Sequence, residues 1–303
     1  LVSAPGTPAS AATSADGYAL ARQGKSEKAL KIALISSVLA DLATDIVLIL
    51  LSVQLARVAL AFGSAEYMLV AVLGVTVVAA VSGRSLAKGI AAAVLGACFA
   101  LIGLDPMTGM PRLVFGTIDL YGGISLVPML IGLLTLSEIL LQMERQLKFS
   151  STSLPKPQNP DDRRITRQDA RRIVKPISVA TLIGGVIGII PGLGPTLGAF
   201  LGYDAAWRMS RNKKEFGHGS IEGVAGAEAG NNAVSGANLI PLLGLGIPGD
   251  TMAAILVGGF LIHGLTPGPM IFQEAPDVVY GLFAGLIVAN FALYAVARLL
   301  LPS

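Results

Sequence analysis

The sequence is poor in charge and in metal-binding chemistry. Of its 303 residues only 14% are charged, against about 25% in an average soluble domain. A water-facing surface cannot be built from so few charges, which excludes an ordinary soluble globular protein. The single cysteine, Cys98, permits no internal disulfide. With two histidines, His218 and His263, it cannot complete a tetrahedral Cys/His metal set. A net charge of +3, with the basic residues gathered in loops, gives no footprint for nucleic acid.

What is present is apolar and rich in glycine. Hydrophobic residues make up 53% of the chain, glycine accounts for 36 positions, and mean hydropathy is +0.71. Excess glycine among apolar residues fits membrane helices, whose backbones pack closely through small residues. Apolar stretches occupy 32–56, 67–82, 89–104, 122–143, 176–207 and 278–301. A bilayer crossing needs about 20 such residues.

Charge sets the expected orientation. The segment 144–175 carries Arg145, Lys148, Lys156, Arg163, Arg164, Arg167, Arg171, Arg172 and Lys175 against Glu144, Asp161, Asp162 and Asp169. That excess marks a cytoplasmic loop, and its Pro/Ser-rich start reads as a linker between two halves. The expected organisation is therefore 1–143 with four spanning helices, a basic linker 144–175, and a second half 176–303. Arg208, Arg211, Lys213 and Lys214 are basic again. If they are also cytoplasmic, 176–207 enters and returns on one side. Pro191-Gly192-Leu193-Gly194-Pro195 in its middle permits a re-entrant hairpin, because proline removes a donor and glycine allows a reversal; a kinked single span is the alternative. Tyr203 and Trp207 fit an interfacial aromatic belt.

An internal repeat is visible. Pro5-Gly6-Thr7 recurs as Pro248-Gly249-Asp250, 243 positions on, and Ala56-Arg57 recurs as Ala297-Arg298, 241 positions on. The helix 32–56 then matches 278–301. Basic Arg22, Lys25, Lys28 and Lys31 follow the first motif, whereas acidic Glu274 and Asp277 follow the second. Opposite charge predicts opposite sides, an inverted-topology repeat typical of secondary transporters. The same offset puts a partner for Pro191 near position −52, so a sequence truncated at both ends is expected.

Broken helices at membrane depth must be buried or line a wet cavity. Their N-termini present N–H groups to an anion, and unwound carbonyls hold a cation. No Lys or Arg occurs in 176–207 or 216–297, so an anion here would rest on amides and hydroxyls. Substrate-binding candidates are therefore Pro5, Gly6, Thr7, Gly192, Gly194, Pro195, Thr196, Asn231, Asn232, Pro248, Gly249, Asp250 and Thr251; the glycines could equally serve helix packing alone. Asp41 and Asp45, one helical turn apart in an apolar run, are candidates for ion coupling together with Glu228. A wet cavity or a subunit contact is the plainer reading for the aspartates, an interhelical hydrogen bond for the asparagines, and simple solvation for Glu222 and Glu228. His218 and His263 read as local hydrogen-bonding residues. No Gly-x-Ser-x-Gly occurs and no nucleophile has a positioned base, so no enzyme is expected.

The stretches GIIPGLGPTLGAFLGYDAA, FGHGSIEGVAGAEAGNNAVSGANLIPLLGLGIPGDTMAAILVGGFLIHGLTPGPMIF and APGTPASAATSADGYALARQGK resemble the large membrane subunit of tripartite tricarboxylate transporters, the TctA family. The resemblance covers essentially the whole chain. It implies an all-α integral membrane protein, a polytopic helical transporter with about a dozen segments in two repeats, in the bacterial inner membrane. It implies a small TctB-like membrane subunit and a periplasmic TctC-like solute-binding protein as partners. It further implies citrate or other carboxylates as substrate, and uptake driven by H+ or Na+ with no other cofactor. Pro191 to Thr196 and Pro248 to Thr251 match the family's Pro-Gly elements; Glu228, Asn231 and Asn232 match its Glu-Ala-x-Asn-Asn element. Asp250 departs from the small hydroxyl residue expected there, and a carboxylate at that position repels an anion unless it is protonated or holds a cation. A stand-alone ion-coupled carrier is the alternative function.

Overall fold

The computed structural model describes residues 7–66, 86–105, 109–124 and 159–300, plus isolated positions 68, 69, 72, 128, 129, 132, 136, 140, 155 and 157. Pro5 and Gly6, and most of the apolar stretches 67–82 and 122–143, lie outside the described residues. The described chain is almost entirely helical. The helices are α1 (Ser10–Arg22), α2 (Ser26–Ala59), α3 (Leu86–Ala100), α4 (Arg167–Ile189), α5 (Gly194–Met209), α6 (Ile221–Ala237), α7 (Leu239–Leu245), α8 (Thr251–Ile262), α9 (Ile271–Glu274) and α10 (Pro276–Leu300). Two two-residue strands, β1 (Gly103–Leu104) and β2 (Pro111–Arg112), pair antiparallel.

The chain divides into two compact units. The smaller comprises Phe62–Leu147 and Thr251–Thr266. It contains α3, the short β1–β2 hairpin with its Asp105–Arg112 ion pair, and α8. The larger comprises Leu1–Ala61, Lys148–Asp250 and Pro267–Ser303, and it carries the polar machinery.

Among the described residues, three helices are long and apolar enough to cross a membrane: Ser26–Ala59, Pro160–Ile189 and Pro276–Leu300. Large apolar side chains stand exposed along them, including Leu39, Ile46 and Leu50 on α2, Leu182 and Val186 on α4, and Val288, Phe291 and Leu299 on α10. Lipid solvates such faces; water does not. The protein is an all-α membrane protein.

The larger unit is built around α6, which is buried on nearly every side. Glycine makes this possible. Gly198 faces Gly230, and Gly202 faces Gly226, so closely that a methyl group on any of the four would strike the opposite carbonyl oxygen. Gly184 of α4 meets Gly230 in the same way, and a methyl group on Gly188 would come within 2.6 Å of Ala237 Cβ. Ala180 of α4 lies beside Gly202 of α5, whereas Gly184 and Gly198 share Gly230. This register makes α4 and α5 antiparallel, with α6 lying along both. The reversal is the break at 190–193, where Gly192 (φ 88°) and Gly194 (φ 67°) adopt a left-handed backbone that other residues rarely adopt.

Helix α4 begins inside the basic segment expected to be a linker. Thr166 and Asp169 form a reciprocal capping box at its start. Arg167, Arg171, Arg172 and Lys175 are therefore helical residues.

Candidate functional site

The polar residues of the larger unit meet at three places along α6. At its N-terminal end, Asp16 of α1 is fully buried. Its Oδ1 accepts the N–H groups of Gly219 and Ser220, both at 2.9 Å, and its Oδ2 accepts the Tyr203 hydroxyl at 2.9 Å. A carboxylate beside two free N–H groups at a helix start is favourable in hydrogen bonding and in dipole. Tyr203 also stacks edge-on against Phe216, with ring centroids 5.4 Å apart; its hydroxyl thus serves an interior bond as well as any interface. Trp207 is partly exposed under the Lys213 ammonium. Arg172 donates to Glu215 at 2.5 Å and to Glu222 at 3.0 Å. Glu222 is therefore buried in an ion pair, which corrects the expectation of a solvated side chain. Lys28 of α2 reaches Asp169 at 2.9 Å.

Midway along α6, Glu228 and Asn232 face α2. Ser37 donates its hydroxyl hydrogen to Glu228 Oε2 at 3.0 Å. Asn232 Nδ2 donates to Ser37 Oγ at 2.8 Å and to the Glu228 backbone carbonyl at 3.0 Å. This closed triad takes up both sequence candidates and adds Ser37. One and two turns along α2, on the same face as Ser37, stand Asp41 and Asp45. They line a cavity of about 310 Å³ with Ser235, Gly236, Leu286, Ala289, Asn290 and Leu293. The buried Asn290 donates to Asp45 Oδ2 at 2.8 Å. Asn231 is half-buried beside the triad and makes no side-chain hydrogen bond to a described residue.

At the C-terminal end of α6 the Pro/Gly breaks converge. The Gly192 N–H donates to the Gly249 carbonyl at 2.7 Å, joining the break after α4 to the break after α7. A methyl group on Gly246 would come within 2.9 Å of the Pro267 carbonyl, so the third break lies against the second. Gly249 packs on Asn238, the junction residue between α6 and α7. Pro195 and Thr196 form the first turn of α5, half-buried just past the first break. Pro248 and Asp250 flank Gly249, and Thr251 opens α8 in the smaller unit. Thr7 exchanges hydrogen bonds with Ser10 at the start of α1.

Sequence reasoning missed Asp16, Ser37, Asn238 and Asn290. Asn290 is a lone polar residue in an apolar run, and that isolation was the available signal; Ser37 adjoins Ser36 and Asp16 follows Thr13 and Ser14, so neither stands out.

The sequence profile of the tripartite tricarboxylate transporter TctA family matches residues 1–303. The chain belongs to that family. Among similar proteins, an Agrobacterium vitis protein described as "Uncharacterized 52.8 kDa protein in TAR-I ttuC' 3'region" is 36% identical over 97% of this chain. The chain spans 58% of that relative's length. A second Agrobacterium vitis protein, described as "Uncharacterized protein in TAR-II ttuC' 3'region", is 43% identical over 36% of this chain and 46% of its own length. No solved structure matches.

Proposed function

We propose that this TctA-family chain belongs to the permease subunit of a tripartite secondary transporter of the bacterial inner membrane. It imports tricarboxylates or other small carboxylates, driven by an H+ or Na+ gradient, and depends on a periplasmic TctC-like binding protein and a small TctB-like membrane subunit. The observation that carries the reading is the convergence of the Pro/Gly breaks around Gly192, Gly249 and Pro267. An unwound backbone there is tolerated because it is enclosed by protein or lines a cavity. The first turn of α5, with Thr196, supplies N–H groups and a hydroxyl to a carboxylate where no Lys or Arg is close in sequence. Asn231, Asn232 and the Pro248–Thr251 element complete the candidate substrate contacts. Asp41, Asp45 and Glu228 are the candidates for ion coupling, as carboxylates set deep in apolar helices.

The antiparallel α4–α5 pair is read as a re-entrant hairpin with its basic ends on the cytoplasmic side. The repeat is read as inverted. Its support is the matching order of elements: a Pro-Gly motif, a short helix and a long helix, as α1–α2 and again as α8 and α10. Helices α2 and α10 also meet near their equivalent positions. Asp45 and Leu286, its counterpart at an offset of 241, line the same cavity, as expected of residues near a pseudo-two-fold axis.

The test is uptake of a panel of labelled carboxylates into cells carrying the complete gene, with and without the solute-binding protein. Uptake that appears only with the binding protein supports the tripartite reading and names the substrate. Uptake without it favours a stand-alone carrier.

A further inference from the structure

A second cavity, of about 440 Å³, lies where α1 ends and α2, α4 and α6 begin. The transport reading leaves it unused. Four cationic side chains line it, Lys25, Lys28, Arg172 and Lys214, against two carboxylates, Asp169 and Glu215. The acids of this region already have their donors. Lys28 pairs with Asp169, Arg172 pairs with Glu215 and with Glu222, and Asp16 takes the Gly219 and Ser220 N–H groups and the Tyr203 hydroxyl. Lys25 and Lys214 are left over. Among the described residues neither ammonium has an ion pair or a hydrogen bond.

The backbone fixes both walls that carry these lysines. Gly24, at φ 79°, turns α1 into α2, and the Lys25 N–H returns to Leu20 O at 2.9 Å. On the other side the loop between α5 and α6 is held at its end by Asp16, through Gly219 and Ser220. Within that loop the His218 N–H donates to Glu215 O at 2.9 Å. Gln23 Nε2 donates to His218 O at 2.7 Å and ties the two walls together. The buried Asp16 thus anchors the loop that presents Lys214. A site built in advance loses little entropy when it is filled.

The place of the cavity points to its ligand. Lys25 caps the N-terminus of α2 and Arg172 lies in the second turn of α4, both within helical stretches apolar enough to cross a membrane. The cavity therefore sits at the boundary between bilayer and water. On the adjoining loop the Lys213 ammonium lies 4.8 Å from the centre of the Trp207 ring, a basic and aromatic pair suited to that level. Leu20 and Ile221 add an apolar lining.

We propose that this cavity binds a phosphate group, with Lys25 and Lys214 supplying the charge and Gln23 a second, neutral donor. The headgroup of an anionic phospholipid is the source that its place favours; inorganic phosphate is the other. An ammonium is a point charge whose three donors can follow a tetrahedral anion. A planar carboxylate is better met by the fork of an arginine, and the Arg172 fork is already taken by Glu215 and Glu222. The site is separate from the Pro/Gly breaks and from the Asp41/Asp45 cavity, and it does not depend on the transport reading.

The test uses the intact protein, delipidated in a neutral detergent, and reads the thermal midpoint and the bound lipid by native mass spectrometry. Dioleoyl phosphatidylglycerol should bind and raise the midpoint saturably. Dioleoyl phosphatidylcholine, whose phosphate is offset by its own choline, should not. Inorganic phosphate against chloride at equal ionic strength is the second arm. A saturable rise with phosphate and none with phosphatidylglycerol keeps the site and assigns it to a free anion. Lys25→Gln with Lys214→Gln should weaken phosphatidylglycerol binding by about tenfold. Lys25→Arg with Lys214→Arg keeps the charge and should retain it, which guards against a Gln variant that fails to fold. Arg208→Gln with Arg211→Gln removes two exposed charges that do not line the cavity, and should leave binding unchanged. Equal response to phosphatidylcholine overturns the proposal, as does unchanged affinity in the folded Lys→Gln protein. An equal loss in the Arg208 and Arg211 variant overturns it too, because the attraction is then diffuse surface charge. So does stabilisation by citrate but by neither phosphate compound.

Discussion

Asn290 of α10 and Asp45 of α2, 245 positions apart in the chain, share a 2.8 Å hydrogen bond inside the larger unit. The amide donates and the carboxylate accepts, so Asp45 is held facing the cavity it lines with Asp41. If these carboxylates carry the coupling ion, Asp45→Asn should lower ion-driven uptake at least tenfold while the protein still folds. Asn290→Leu should cost about 1–3 kcal/mol of stability, because it leaves a buried acceptor without its donor. Gradient-driven uptake in proteoliposomes checks the first and the thermal midpoint checks the second. Undiminished uptake by the Asp45→Asn protein removes that residue from the coupling site.

Gly230→Ala should be among the most damaging single-methyl changes in the chain. The added carbon strikes the Gly198 carbonyl, and backbone cannot move aside as a side chain can. Overpacking costs about 1–3 kcal/mol when side chains absorb it, and this position should reach the upper end. The yield of monodisperse protein after size exclusion reports the outcome. By contrast Gly285→Ala, at a position where a methyl group meets nothing within 4 Å, should leave the yield unchanged.

Arg172→Met should destabilise the protein by about 3 kcal/mol, since it strands Glu222 as a buried, uncompensated charge. The low end of the range for buried pairs applies because Arg172 is 26% exposed. Adding Glu222→Gln should recover much of the loss. A double-mutant cycle read by thermal unfolding measures the coupling; additive effects would mean the pair contributes little.

Single cysteines at Lys25 and Asp277, placed in a Cys98→Ser background, should react with an impermeant maleimide from opposite faces of the membrane. Labelling from the same face would remove the inverted repeat.

The long helices α2 and α10 were legible in the sequence because uninterrupted apolar runs leave few alternatives. The observed Ser26–Ala59 extends the expected 32–56 at both ends, and Pro276–Leu300 begins two residues before the expected 278–301, whose last position lies outside the described residues. Helix α2 begins earlier because Lys28 finds Asp169 and can stay on the helix. The break at Pro191 was legible from proline and glycine alone. The central role of α6 was not. Its Gly/Ala-rich sequence is polar enough to suggest a half-solvated stretch, and only the facing glycines of α4 and α5 explain why it can be enclosed. Asp16, Ser37, Asn238 and Asn290 needed the fold as well, because a polar residue does not announce its partner.

The glycine contacts along α6 also bear on how such a protein can move. An interface of carbonyl against Cα has no rotamers to exchange and no side chains to slide past one another. It can stay closed or come apart, with no intermediate packing. Helices α4, α5 and α6 are thereby locked as one block, and α2 is held to it by apolar packing of Ala29, Ile32 and Ala40, by the close approach of Gly236 to Asp45, and by the hydrogen-bonded Ser37, Glu228 and Asn232. Any movement within the larger unit would then fall outside these three helices, with the glycine block travelling as a piece.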